Sequence, residues 1–118
     1  MRLRIVQIAD RGIPFKERLH MQVLADANLS YYMVLASSYI TPQSVSVKPK
    51  SSFWFPAVNA KAGDNIILYT GSGLQKTEPA IGYSNHFFYW GLGQTVWKGV
   101  GECAILLELG NWQTSPYG

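Results

Sequence analysis

Residues 54–73 read Trp54-Phe55-Pro56-Ala57-Val58-Asn59-Ala60-Lys61-Ala62-Gly63-Asp64-Asn65-Ile66-Ile67-Leu68-Tyr69-Thr70-Gly71-Ser72-Gly73. Trp54-Phe55-Pro56 closes one strand, Lys61 to Asp64 makes a turn, and Ile66 to Tyr69 opens the next strand. Gly71-Ser72-Gly73 then releases the chain into a loop. Short apolar runs bounded by Gly, Pro, Asn and Asp are the grammar of strands and turns. Outward from this stretch the same grammar recurs. Leu3, Ile5 and Ile8 anchor a first strand that stops at Asp10-Arg11-Gly12-Ile13-Pro14. Arg18 to Val23 alternates, which puts Leu19, Met21 and Val23 on a buried face and His20 on the wet one.

Ser30 to Ile40 is an aromatic and β-branched run, continuous enough to expect cover on both sides. Residues 41–52 carry Pro42 and Pro49 and read as a polar loop or a poor edge strand. Phe53 to Pro56 and Asn65 to Thr70 are strands, and Gly71 to Asn85 is the longest stretch of low order. His86 to Trp90 is a short aromatic strand, Gln94 to Lys98 fits one helical turn, and Glu102 to Leu109 is the last core strand. The expected fold is all-β, an immunoglobulin-like two-sheet sandwich of about seven strands. One domain spans 1–118, with 111–118 as a C-terminal tail.

The composition suits this fold. With 47% apolar and 14% charged residues the chain can bury a core. Four Trp, seven Tyr and five Phe favour a pleated surface. The net charge of +3 comes from residues 1–18, where Arg2, Arg4, Arg11, Lys16 and Arg18 face only Asp10 and Glu17. A lone cysteine, Cys103, excludes an internal disulfide and points to a reducing compartment. The basic start Met1-Arg2-Leu3-Arg4 is not followed by the apolar core of a signal peptide. No run approaches the ~20 apolar residues of a membrane helix. The expected setting is cytoplasmic, without membrane insertion.

Several segments resemble the lamin tail domain family. Leu29-Ser30-Tyr31-Tyr32-Met33-Val34 is similar to the family's Leu-Ser-Gly-Trp-x-Leu step, with tyrosines where Gly-Trp is usual. Phe55-Pro56 with Ala60-Lys61-Ala62-Gly63-Asp64 resembles its Phe-Pro…Leu-x-Pro-Gly-Glu turn. Val96-Trp97-Lys98-Gly99-Val100-Gly101-Glu102 resembles its Val-Trp-Asn-Asn-x-Gly-Asp turn. The resemblance covers most of residues 17–110, departing at Tyr32, at Glu102 and in an insertion around Thr77 to Asn85. It implies an immunoglobulin-like scaffold with no catalytic residues, and it makes Trp54, Trp97, Phe55 and Tyr32 core.

Candidate sites are few. Cys103 and the two histidines are the only nucleophile–base set. Cys103 lies in an apolar strand, where an inert thiol is expected. His20 and His86 have no carboxylate or cysteine at ligand-like spacing, so no metal or cofactor is expected. Gly63-Asp64 and Gly101-Glu102 each place an acid after a turn, where capping or a salt bridge is expected. Phe87, Phe88, Tyr89 and Trp90 cannot all face one side of a strand, so Phe87, Tyr89 and Trp90, with Trp112 and Tyr117 in the tail, are candidates for a partner surface.

The expected function is a non-catalytic interaction module that binds a protein partner or a second copy of itself. Nucleic-acid binding through Arg2, Arg4, Arg11, Lys16 and Arg18 is the alternative. Carbohydrate binding on exposed rings is a further one.

Overall fold

The computed structural model describes residues 1–118. It is all-β. A five-stranded sheet has the order β1-β2-β8-β10-β9, formed by β1 (Leu3–Ala9), β2 (Arg18–Val23), β8 (Asn65–Tyr69), β10 (Ser84–Tyr89) and β9 (Lys76–Pro79). The second sheet is built on the long β4 (Tyr32–Thr41), flanked on one edge by β11 (Glu102–Glu108). On its other edge run β6 (Ser51–Trp54) and the short β5 (Ser44–Val45). A third pairing joins β3 (Ala27–Asn28) to β7 (Asn59–Ala60). No helix is long and apolar enough to cross a membrane.

The inner faces of the two large sheets share one core. Leu3, Leu19, Met21, Val23, Ile66, Leu68 and Phe88 from the first sheet meet Tyr32, Val34 and Ala36 from the second. The alternation in Arg18 to Val23 holds, with Leu19, Met21 and Val23 buried and His20 on the opposite face. Phe55 packs edge-on against Phe53 and Phe88 at 5.0 Å each. Such aromatic pairs join the sheets where no disulfide is present. Trp97 is fully buried, as expected, donates from Nε1 to the Cys103 carbonyl, and packs on Trp90.

Four expectations need correction. The chain forms eleven strands rather than about seven, three of them only two residues long. Gly71 to Asn85 is not a loop: it holds β9 and the start of β10, a hairpin on the exposed edge. β10 lies parallel to β8, and β9 carries the return run that a parallel pair requires. Ile66, Ile67 and Leu68 in the central strand β8 are all buried. Gln94 to Lys98 forms no helical turn, because Val96 and Trp97 direct their N–H groups inward instead of along a helix. Trp54 is 43% exposed rather than core. Strand alternation sends Phe53 and Phe55 inward and Trp54 to the opposite face.

Glu17 is the least expected core residue. Its side chain is fully buried without a basic partner. The carboxylate accepts N–H bonds from Gly12 at 2.8 Å, Val96 at 2.9 Å and Trp97 at 3.1 Å. Its backbone carbonyl accepts from the Thr70 N–H. A buried carboxylate is tolerated only when fully hydrogen-bonded, and here three amides do that work.

Glu17→Ala orphans three inward N–H groups and should lower unfolding free energy by about 3 kcal/mol. Trp97→Ala should cost about 3–5 kcal/mol. Urea unfolding at neutral pH checks both; a Glu17→Ala midpoint equal to that of the parent would contradict the anchoring role.

Candidate functional site: the outer face of the second sheet

In the second sheet, Tyr32, Val34, Ala36, Phe53, Ala104 and Leu106 point to the core. Pleating sends their neighbours to the other face. Register places Met33 beside Trp54 and Leu107, and Leu35 beside Ile105 and Ser52. Met33, Leu35 and Ile105 are half-buried, while Trp54 and Leu107 are exposed. No charged side chain stands among these positions. The tail brings Trp112, 56% exposed, edge-on against Trp54 at 4.9 Å. Trp54 is held in place by its Nε1–H bond to the Ser30 carbonyl. The cover expected on both sides of residues 30–40 is thus only partial on the outer side: Ser37 is buried opposite Cys103 and donates to the Ser46 carbonyl, while Met33 and Leu35 are left half-buried. The result is a contiguous apolar sheet face, the kind of surface that marks an interaction site.

The aromatics singled out from the sequence fall on three surfaces. Phe87 and Tyr89 share the outer face of the first sheet, half-buried. Lys76 lies 5.3 Å over the Phe87 ring, and Tyr89 stacks on Tyr69 at 5.2 Å. Gly73 lies so close to the Tyr89 ring that a Cβ there would sit 2.4 Å from it. Trp90 turns inward, packs on Phe53 and Trp97, and donates to the Ser52 carbonyl. Trp112 reaches the second sheet, and Tyr117 stands fully exposed in the tail. Met33, Leu35, Trp54, Ile105 and Leu107 were not among the residues singled out. Their signal was two unbroken apolar runs, 31–36 and 103–107.

The basic residues of the N-terminal segment are also dispersed. Arg2 binds the Asp26 carbonyl, Arg4 binds Gln22, and Arg11 donates to the Glu102 carbonyl at 2.7 Å. Arg18 pairs with Asp10, donates to the carbonyl of the exposed Lys16, and lies over the Tyr69 ring. Only Arg4 and Arg18 share the outer face of the first sheet, at opposite ends of β2 in register terms. Burial, and then the Arg18 guanidinium bonded to its ring, hold the His20 imidazole below its ordinary pKa.

One polar set has the appearance of a catalytic relay. Asp64 Oδ2 and His86 Nε2 lie 2.8 Å apart, both residues buried, and His86 Nδ1 lies 3.0 Å from the Thr77 hydroxyl. A carboxylate only accepts, so Nε2–H donates to Asp64; in the neutral ring Nδ1 then accepts from Thr77. Both ring nitrogens are occupied, and none of the larger clefts reaches Thr77. Asp64 also accepts from the Lys61 and Ser84 N–H groups. The set therefore fastens β9 and β10 to the turn before β8. Burial by itself raises the Asp64 pKa, but the Lys61 N–H, the His86 ring and the Ser84 N–H more than offset this, and the carboxyl lies below its ordinary value. Burial pushes the Cys103 thiol up, with Arg11 opposing. No group of three His, Cys, Asp or Glu residues converges as a metal site would.

Set against known protein families, curated proteins and solved structures, the chain matches none of them.

Because folding depresses the Asp64 pKa, its contribution to stability is present above the ordinary value of 3.8 and is lost as pH falls through the folded value. Asp64→Asn should be less stable than the parent at pH 7, and the gap should narrow below pH 3.8. Urea midpoints measured across pH check the sign; a gap that widens in acid would contradict it.

Proposed function

We propose that this chain is an interaction module that pairs with a second copy of itself through the outer face of its second sheet. The observation that carries the reading is the uncharged face of Met33, Leu35, Trp54, Ile105 and Leu107, rimmed by Trp112. A face without charges is complementary to itself about a twofold axis, because no like charges are brought together. An aromatic anchor at the rim and apolar side chains at the centre supply affinity. The immunoglobulin-like, lamin-tail reading belongs to this proposal. It is supported by the burial of Tyr32, Phe55 and Trp97 at positions that the resemblance makes core, while the exposure of Trp54, the fourth such position, and the parallel β8–β10 pair depart from it. A non-catalytic role in a reducing, cytoplasmic setting, where Cys103 stays a thiol, completes the reading.

The expected result is a concentration-dependent dimer with Kd on the order of 10 μM. Leu107→Arg should make it monomeric with little change in thermal stability, since Leu107 is at the surface. Sedimentation equilibrium decides the matter: a parent chain still monomeric at several hundred micromolar would sink the proposal.

A second reading, binding of single-stranded nucleic acid, is favoured by Arg18 and Lys76 lying over Tyr69 and Phe87 on the first sheet. Under it, Arg18→Glu would weaken binding and flatten the logarithmic salt dependence by about one unit. Binding that ignores both salt and this substitution would eliminate it.

A further inference from the structure

β1 is one open edge of the first sheet and β11 one open edge of the second, and the two lie on the same side of the sandwich. Each pairs with a single neighbour. Near one end Arg11 bonds the Glu102 carbonyl, and near the other Arg2 and Glu108 line a shared hollow. Between these ends is a cleft of about 350 Å³, six of whose eight lining residues are apolar. Ile5 and Ile8 form one wall, Ala104 and Cys103 the other, and Tyr39 and Val100 the lip. Tyr39 is 51% and Val100 99% exposed, so the apolar lip is open to solvent.

The charges at the mouth are unbalanced. Glu102 is the one carboxylate in the lining, and it is already engaged by Lys50 and by the Gly99 N–H. Arg11 has no acidic partner, only the Glu102 carbonyl, which uses a single N–H of its guanidinium. The backbone and Cβ of Lys98 stand beside Gly12, next to Arg11. An open hollow with apolar side chains along its walls and an unneutralised guanidinium at its mouth suits a ligand with an apolar body and one anionic end.

We propose that the cleft between β1 and β11 binds a small apolar monocarboxylate, its chain between Ile5, Ile8 and Ala104 and its carboxylate on Arg11. At about 30 Å³ per non-hydrogen atom, the space takes a ligand of about ten such atoms, the size of a medium-chain fatty acid. A peptide strand fits less well: the register of β1 shifts between Ile5 and Gln7, which breaks the ladder that a strand would need. The site is separate from the apolar face described above, and its occupancy does not depend on dimerisation.

The test is a titration of the whole chain with octanoate, octan-1-ol and octylamine, followed by methyl resonances of Ile5, Ile8 and Ala104. Octanoate should saturate these resonances and bind about tenfold more tightly than octan-1-ol, the margin of a charge-assisted contact. Octylamine should bind more weakly still. Arg11→Gln should reduce octanoate to the affinity of octan-1-ol, and Arg11→Lys should keep most of the preference. The three-ligand comparison on the parent needs no variant, so a folding defect in either substitution leaves the test intact. Equal affinity for octanoate and octan-1-ol, no saturable shift at millimolar octanoate, or a preference that survives Arg11→Gln would overturn the proposal. Saturation by an uncharged apolar peptide without any response to octanoate would replace it with strand addition.

Discussion

The buried carboxylate of Glu17 is the constraint on which the closed end of this sandwich depends. A carboxylate in the interior has a high desolvation cost, and no cation is present to offset it. Its three amide partners come from two segments far apart in sequence, residues 10–17 and 94–97. The group thus works as a cross-link whose strength comes from the penalty for breaking it. It holds the Val96-Trp97 backbone so that Trp97 fills the core and reaches the Cys103 carbonyl in β11. It also keeps the tight loop before β2 in place, where Asp10 and Phe15 take left-handed backbone conformations at φ 51° and 65°. Such conformations persist only where the surroundings over-determine them.

From that anchor the two sheets acquire different characters. The first is buried on its inner face and carries mixed, hydrogen-bonded and cation-capped side chains on its outer face. Asp64, His86 and Thr77 join its edge hairpin to the turn before β8. The second is largely apolar on both faces, yet its outer face is packed only in part, around Ser37 and Cys103. Within residues 1–118 the tail reaches this face only where Trp112 meets Trp54, so part of the apolar face stays at the surface. The cleft between β1 and β11 lies where the two edges come near each other without pairing.

The acids after the turns show how far local reading reaches. Asp64 and Glu102 were expected to cap or pair, and they do: Asp64 accepts the Lys61 N–H across its turn, and Glu102 accepts the Gly99 N–H and meets Lys50. Those bonds are short-range, so spacing reveals them. The contact of Asp64 with His86 spans 22 positions and left no mark in the spacing. Glu17 is harder still, because an acid between Lys16 and Arg18 reads as a solvated member of a charged segment.

The sequence by itself determined the all-β class and the inward side of β2, because period-two alternation and turn chemistry act locally. It also held the sign of the Trp54 correction, since a residue between Phe53 and Phe55 must take the opposite face. Only the tertiary structure decided the parallel placement of β10 beside β8, the outward exposure of the second sheet, and the separation of the five basic residues. These depend on which strands become neighbours, and that choice is set by packing over the whole core rather than by any short stretch of chain.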